Sequence, residues 1–297
     1  MDADADARFQ LDRISLRRAF DRASGSYDNA AVLQTDVRDE LLRRLDLVSM
    51  TPRVILDAGA GTGHASRALQ RRYPRARVLA LDLSAGMLRA ALGRQWWRRR
   101  FARVCADCAR LPLAAASVDM IFSNLMLPWC DPDAVLGEFR RVLRPQGLAS
   151  LSSLGPDTLR ELRLAWARAD DGVHVHRFVD MHDLGDALVR AGFASPVLDV
   201  ERRSVSYRDV QALMADLKAT GAGSILAGRR KSLTGKGKMS AMRGAYEDFR
   251  CAGRLPATCE IVFAQAWGPA QSAQRGAQAA TVALEEMKRQ LRQRRLS

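Results

Sequence analysis

Val54-Ile-Leu-Asp-Ala-Gly-Ala-Gly-Thr-Gly63 is the stretch that decides the fold of this 297-residue chain. An apolar run ends in an acid, alternating glycines follow, and a helical pattern then begins at His64. Glycine lets the backbone turn tightly after a strand and approach a ligand closely, while the first N–H groups of a helix point at that ligand. The stretch therefore predicts a nucleotide-cofactor loop, with binding positions Asp57, Gly59, Gly61 and Gly63.

A second apolar run, residues 77–81, supports this prediction because it ends in Asp82 after a helix-length stretch from His64 to Pro74. A carboxylate at that position of a βαβ unit can accept both ribose hydroxyls. The third glycine of the loop comes one residue too early for G-x-G-x-x-G, the dinucleotide pattern. The acid Asp57 would repel a pyrophosphate, whereas it suits the cationic amino-acid end of S-adenosylmethionine. The sequence thus favours S-adenosylmethionine over a dinucleotide.

Further elements of an alternating sheet follow along the chain. Asp107 would give the adenine amine an acceptor, residues 117–124 predict the next strand, and residues 138–147 predict a helix closed by proline and glycine. The chain at this point resembles class I S-adenosylmethionine-dependent methyltransferases over residues 53–155. The resemblance implies an α/β fold with a Rossmann-like sheet and helices on both faces. It extends the cofactor-binding set to Leu83, Met87, Cys108 and Asn124.

The composition limits the classes of protein to which the chain can belong. The chain is 47% hydrophobic and 27% charged, with a net charge of +14. It contains no run of the roughly 20 apolar residues that a membrane helix needs, and its start lacks the pattern of a secretory signal. Five irregularly spaced cysteines indicate a reducing compartment. We therefore expect a soluble, cytoplasmic protein without a membrane partner.

The organisation along the chain is expected to comprise one folded domain with two tails. Residues 1–12 are predicted to be disordered, residues 13–268 to form the methyltransferase domain, and residues 269–297 to form a linker and basic tail. Within the domain we expect a helical lid, a cofactor-binding core and substrate-side elements, at residues 13–50, 53–155 and 156–268.

The substrate-side part is predicted to contain three helices, two strands and a basic insertion, with the third helix at residues 209–218 and the first strand at residues 195–206. One helix begins at Pro156, and another is capped by Asp180 and stops at Gly192. A last strand, in the antiparallel direction usual for this fold class, ends at Trp267. The glycine-rich, basic residues 219–240 are expected to form a mobile insertion before that strand.

Two motifs invite a metal interpretation, and neither has suitable geometry. His174 and His176 are followed by Asp180, His182 and Asp183, but alternate residues point apart in a helix, and the carboxylates fall at a predicted helix cap. Cys105 and Cys108 have no second cysteine pair at zinc-site spacing. We expect no metal.

A nucleic-acid substrate fits the net charge but not the expected site. Enzymes that methylate exocyclic base amines resemble one another in an Asn-Pro-Pro-aromatic turn that holds a flipped base, whereas Asn124 here is followed by Leu-Met-Leu-Pro-Trp. Aromatic residues make up only 6% of the chain, so base stacking is poorly provided for. We do not expect a nucleic-acid partner.

A more specific resemblance is carried by the residues flanking the core. Six segments are similar to the malonyl-acyl-carrier-protein O-methyltransferases of biotin synthesis, at residues 18–28, 154–162, 178–188, 213–218, 227–230 and 253–258. The likeness implies methyl transfer from S-adenosylmethionine to the free carboxylate of malonate on acyl carrier protein. Some of these segments are shared with a mitochondrial complex I assembly factor that hydroxylates an arginine. That hydroxylase, or a non-catalytic assembly factor, is the alternative, and an RNA methyltransferase is a weaker one.

The expected substrate determines the remaining predictions. A malonyl carboxylate is ionised at pH 7, so the reaction needs no general base. We expect Tyr27, on the lid, to cover the cofactor and orient this carboxylate. Carrier proteins are acidic, so we predict that basic residues of the insertion and its flank dock the partner, namely Arg229, Arg230, Lys231, Lys236, Lys238 and Arg243.

Overall fold

The computed structural model describes residues 12–93, 101–222 and 235–270. Seven strands in this part of the chain form one sheet: β1 (Val54–Ala58), β2 (Arg77–Asp82), β3 (Ala102–Cys105), β4 (Val118–Ser123), β5 (Leu143–Leu154), β6 (Ala194–Tyr207) and β7 (Leu255–Trp267). Their order across the sheet is β3-β2-β1-β4-β5-β7-β6. Strands β1 to β5 are mutually parallel, whereas β7 is antiparallel to both of its neighbours. The predicted Rossmann-like α/β sheet with an antiparallel last strand is confirmed.

The helices of the described residues fall into three groups. Before the sheet lie α1 (Arg13–Ala23), α2 (Tyr27–Ala30) and α3 (Val32–Arg44). Between its parallel strands lie α4 (His64–Arg72), α5 (Ala85–Gly93) and α6 (Pro132–Val142). The rest belong to the second half of the chain: α7 (Arg160–Ala167), α8 (Met181–Arg190), α9 (Val210–Ala219) and α10 (Lys236–Glu247).

Both faces of the sheet are buried under helices, as the apolar strand sequences require. One face packs against α6 and α8 through residues such as Phe139 and Leu188, which are fully buried. The opposite face packs against α3 and α4 through Leu41 and Leu69. A smaller cluster around Tyr246 joins α7 and α10 beside the start of β7. The sheet is therefore held rigidly from both sides, and its carboxyl edge is left to bind ligands.

The local signals around helix α8 act as the sequence predicts. The side chain of Asp180 accepts a hydrogen bond from the backbone N–H of His182, which caps the first turn. Gly192 ends the helix with a φ of +85°, a conformation that favours glycine. The cap and the stop thus fix both ends of this helix.

Three element boundaries differ from the prediction. The helix expected at residues 138–147 is wrong at its end, because α6 stops at Val142 and the proline and glycine beyond it belong to β5. The helix expected from Pro156 begins only at Arg160, since Glu260 holds the preceding turn by accepting a hydrogen bond from the backbone N–H of Asp157 at 2.7 Å. The end of the basic insertion is helical, because α10 starts at Lys236.

In the three stretches that the structure describes, no helix is long and apolar enough to cross a lipid bilayer.

Candidate active site

The predicted cofactor residues come together at the carboxyl edge of the parallel strands. Strand β1 lies between β2 and β4, so the chain order reverses at this point of the sheet. Such a reversal opens a crevice in which α/β proteins bind ligands. Asp57 lies in β1, Asp82 ends β2, and Asn124 directly follows β4. Three side chains from distant parts of the sequence therefore border one crevice.

The glycine-rich loop between β1 and α4 is folded tightly against β2. The backbone N–H of Gly59 donates to the carbonyl of Leu81 at 2.8 Å, and Gly59, Gly61 and Gly63 all have positive φ. A side chain added at Gly59 would lie 2.5 Å from Met126, whereas Gly61 has no neighbouring heavy atom within 4 Å of that position. The loop is therefore packed on one side and open at Gly61, where a ligand can approach the backbone.

Asp82 holds the loops on either side of it. Its Oδ2 accepts a hydrogen bond from the backbone N–H of Gly61 at 2.8 Å, and its Oδ1 accepts one from Ser84 at 2.7 Å. Burial raises the pKa of this carboxyl, and the two backbone hydrogen bonds oppose that rise. Each carboxylate oxygen can accept a further hydrogen bond. The site therefore fits a ligand that brings hydroxyl donors.

Asp57 is a buried acid at the floor of the crevice, with 1% of its surface exposed. Burial raises its pKa to about 7, and the nearby negative Asp82 adds to the rise. The hydroxyl of Ser66 opposes the rise by donating a hydrogen bond of 2.5 Å. A buried carboxylate is stabilised by a cationic partner. The chemistry of this position therefore fits a ligand with an ammonium group.

An apolar wall with an acid at its edge follows β2 and β3. Met87 and Cys108 are buried, and Leu83 is half-buried beside them. Asp107 accepts a hydrogen bond from the backbone N–H of Ala109 at 2.9 Å, and it also forms an ion pair with an arginine of α1, Arg13. An apolar surface next to a hydrogen-bond acceptor fits a purine ring with an exocyclic amine.

Asn124 is engaged within the protein by both ends of its amide. Its Nδ2 donates to the backbone carbonyl of Gln34 at 3.0 Å, and its Oδ1 accepts a hydrogen bond from Ser152 at 2.9 Å. These contacts join α3 to strands β4 and β5. A direct contact of Asn124 with the cofactor stays a prediction.

Two acids fasten the N-terminal segment to the cofactor loops. Asp21 accepts hydrogen bonds from the hydroxyl of Ser84 at 2.6 Å and from the backbone N–H of Gly86 at 2.8 Å. Asp28 accepts one from the hydroxyl of Thr62 at 2.6 Å. Sequence reasoning missed both residues, although they lie in the segment 18–28 that carried the family resemblance. Their partners are far away in sequence, so no local spacing could have revealed them.

Tyr27 lies between these two acids and is half-buried. Burial raises the pKa of its phenol, and the negative charge of Asp82 raises it further. The hydroxyl therefore stays protonated at pH 7 and can donate a hydrogen bond. A contact of Tyr27 with the substrate stays a prediction.

The predicted basic residues have different surroundings. Lys236 and Arg243 are exposed on α10, and their spacing of seven residues sets them on one face of that helix. Lys238 instead forms an ion pair with Asp170 at 3.0 Å. Arg229, Arg230 and Lys231 lie outside the described residues.

The histidines considered as metal ligands each have a different partner. His174 lies 2.6 Å from an oxygen of Asp170, and His182 lies 2.8 Å from one of Asp180. His176 stacks on Trp129. The three imidazole rings therefore serve separate contacts.

Comparisons with known proteins agree with this geometry. Residues 56–151 match a family described as "Methyltransferase domain". A malonyl-(acyl-carrier protein) O-methyltransferase of Methylovorus sp. is 50% identical over 91% of this chain and 92% of its own length. One of Laribacter hongkongensis is 52% identical over 88% and 91%. Among solved structures, the YcgJ protein of Bacillus subtilis has a TM-score of 0.56 at 15% identity, covering 77% of this chain and 97% of its own, and so shares the fold.

Proposed function

The chain belongs to the malonyl-(acyl-carrier protein) O-methyltransferase family, and from this premise we propose the reaction that its site performs. The protein transfers a methyl group from S-adenosylmethionine to the free carboxylate of malonate on acyl carrier protein. The methyl ester masks a charge, and so it can enter fatty-acid elongation toward the pimeloyl precursor of biotin. The observation that carries this conclusion is the 50% identity across 91% of the chain.

We propose that the three acids of the crevice hold S-adenosylmethionine. Asp82 accepts the ribose hydroxyls, Asp57 pairs with the amino group, and Asp107 accepts from the adenine amine. Support comes from the spare acceptor positions of Asp82 and from the buried charge of Asp57, whose pKa of about 7 a cation would lower. When bound, S-adenosylmethionine supplies a methyl group on a positively charged sulfur.

The residues of the chain then need only orient and enclose the reactants. The malonyl carboxylate is ionised at pH 7 and attacks without a general base. Tyr27 donates a hydrogen bond that orients it, while a tighter arginine pair would stabilise the ground state and slow the attack. The attack neutralises one positive and one negative charge, so exclusion of water accelerates it. We infer that the contacts of Asp21 with Ser84 and of Asp28 with Thr62 keep the N-terminal helices over the site for this purpose.

Replacement of Tyr27 by phenylalanine is expected to lower turnover about 10-fold, because one hydrogen bond to a charged group is lost. Cofactor affinity should stay close to that of the wild type. Methyl-transfer kinetics paired with calorimetric cofactor titration measure the two quantities. Tyr73→Phe, at the end of α4, is the matched control and should change neither. Full activity of the Tyr27 variant would show that the hydroxyl has no role in the reaction and that the side chain only packs against its neighbours.

We further propose that α10 and the insertion before it form the docking surface for the acidic carrier protein. Lys236 and Arg243 are free to meet a partner on one helix face, whereas Lys238 is occupied by Asp170. Opposite charge on two partners speeds their encounter, and this attraction is screened within about 8 Å at physiological ionic strength. Arg229, Arg230 and Lys231 contribute to the same charge.

Replacement of Lys236 and Arg243 by serine is expected to raise the Michaelis constant for malonyl carrier protein about 3- to 10-fold and to flatten its salt dependence. Arg75 and Arg77 are the matched control pair, because they are exposed at the amino end of β2, the opposite edge of the sheet. Their serine variants should leave both quantities unchanged. The triple replacement of Arg229, Arg230 and Lys231 should act in the same direction. Equal effects of all three variants would contradict a localised docking surface.

One assay tests the function as a whole. The protein is incubated with labelled S-adenosylmethionine and malonyl carrier protein, and label that is released by base identifies the methyl ester. A gain of one oxygen on an arginine would instead identify the hydroxylase alternative, which the relatives do not favour. We place the reaction in the cytoplasm because the five cysteines are free thiols, and fractionation of cells tests this.

A further inference from the structure

A half-buried imidazole lies where the lid meets the substrate side of the site. His176 belongs to the segment between α7 and α8, and its ring stacks on Trp129 with centroids 6.4 Å apart. Trp129 in turn meets Phe20 of the lid edge-on at 5.7 Å, and Phe178 meets the imidazole edge-on at 5.3 Å. Residues from α1, from the turn after β4 and from the segment before α8 thus form one aromatic wall. This wall is defined by Phe20, Trp129, His176 and Phe178.

One of the two ring nitrogens of His176 is left without a hydrogen-bond partner in the described part of the chain. The backbone carbonyl of Pro128 lies close enough to the ring to act as a hydrogen-bond acceptor for it. Nδ1 is buried and has no partner among the described residues, so we assign the ring N–H to Nε2, directed at Pro128. Burial lowers the pKa of the ring, which keeps it neutral at pH 7. Nδ1 therefore presents a lone pair, and a buried acceptor without a donor is costly to the folded state.

Only some groups of the two substrates can donate a hydrogen bond to Nδ1 of His176. The ionised malonyl carboxylate and the thioester carbonyl only accept hydrogen bonds. The donors of S-adenosylmethionine are already matched by the three acids of the crevice. The pantetheine arm of a carrier protein carries amide N–H groups between methylene groups. Its methylene groups suit an aromatic wall, and its amides supply the donor that Nδ1 lacks.

We propose that His176 is a positioning residue whose Nδ1 accepts a hydrogen bond from an amide N–H of the pantetheine arm, while the aromatic wall packs against the methylene groups of the arm. This inference rests on the proposed function, since it takes acyl carrier protein as the partner. It assigns recognition of the arm to the segment before α8 and recognition of the protein surface to α10. The arm is thereby held where its malonyl end can reach the site beneath the lid.

The test compares two variants and three forms of the partner. His176→Phe keeps the ring stack and removes the acceptor, whereas His176→Asn restores an acceptor oxygen near the position of Nδ1. Each is titrated with apo carrier protein, which has no arm, with holo carrier protein, which has the arm alone, and with malonyl carrier protein. The Phe variant is expected to bind the holo and malonyl forms about 5- to 10-fold more weakly and the apo form unchanged. The Asn variant should recover most of the loss.

The other outcomes overturn the proposal. A loss confined to the malonyl form would assign His176 to the carboxylate, and an equal loss for all three forms would assign it to the fold. No loss would mean that the arm makes no hydrogen bond to Nδ1. Unchanged cofactor affinity and unfolding temperature show that the variants are folded. Failure of the proposed function is seen separately, as absence of methyl ester from malonyl carrier protein with the wild type.

Discussion

Replacement of Asp82 by alanine is expected to weaken the binding of S-adenosylmethionine by about 1.5 to 3 kcal/mol, which is roughly 10- to 150-fold. The reason is the loss of the carboxylate that accepts the ribose hydroxyls. Calorimetric titration at pH 7 measures the change. A second variant, Asp82→Asn, keeps one acceptor oxygen but turns the other into a donor, so it should fall between alanine and the wild type. Unchanged affinity in the alanine variant would contradict the assignment of this acid.

Asp82 also accepts hydrogen bonds from the backbone N–H groups of Gly61 and Ser84. A control variant must therefore distinguish the loss of contacts to the ligand from the loss of support for the backbone. Asp119 performs the same support at the opposite edge of the sheet. It accepts from the backbone N–H groups of Arg53 at 2.9 Å and Val54 at 2.8 Å. Asp119 also pairs with Arg144 at 2.6 Å, so Asp119→Ala should lower the unfolding temperature at least as much as Asp82→Ala while leaving cofactor affinity unchanged.

The core of the fold could be predicted because its signals are local. The apolar run of β1, the glycines after it and the acid that ends β2 lie within 30 consecutive positions of the printed sequence. Each signal has a direct physical cause, such as the positive φ values of Gly59, Gly61 and Gly63. The cofactor prediction used the same residues, and so the fold and the cofactor followed from one stretch.

The enclosure of the site could not be predicted, because its contacts join residues that are distant in sequence. Asp21 reaches Ser84 across 63 positions, and the contact of Trp129 with His176 depends on the placement of α8 against α6. No periodicity specifies such pairs. The family resemblance pointed to the segment 18–28 but did not say which of its side chains touch the cofactor loops.

Helix α10 was missed for a different reason. Gly237 and Gly244 lower its intrinsic helix propensity, and its lysines suggested an exposed loop. The helix is held instead by tertiary packing, through the buried side chains of Met242 and Tyr246. Tertiary packing can override weak propensity. The consequence is functional, because the proposed docking residues Lys236 and Arg243 are presented by an ordered helix.

Replacement of Gly59 by alanine is expected to destabilise the protein by about 2 to 5 kcal/mol and to abolish measurable cofactor binding. Two costs add: an L-residue at a φ of +75° costs about 1 to 2 kcal/mol, and overpacking costs about 1 to 3 kcal/mol. The overpacking arises because the added methyl group would lie 2.5 Å from Cβ and Cγ of Met126, at the wall of the crevice. Thermal and denaturant unfolding measure the first effect, and cofactor titration measures the second.

Gly192→Ala isolates the backbone cost from the overlap. Gly192 has a φ of +85° and no heavy atom within 4 Å of the added methyl group, and it lies at the end of α8, outside the cofactor loop. Its alanine variant should lose about 1 to 2 kcal/mol of stability and keep full cofactor affinity. If Gly59→Ala loses no more free energy of unfolding than Gly192→Ala, the side chain of Met126 moves aside without cost. The loop would then be shaped by backbone conformation alone, and its close packing against Met126 would contribute nothing to stability.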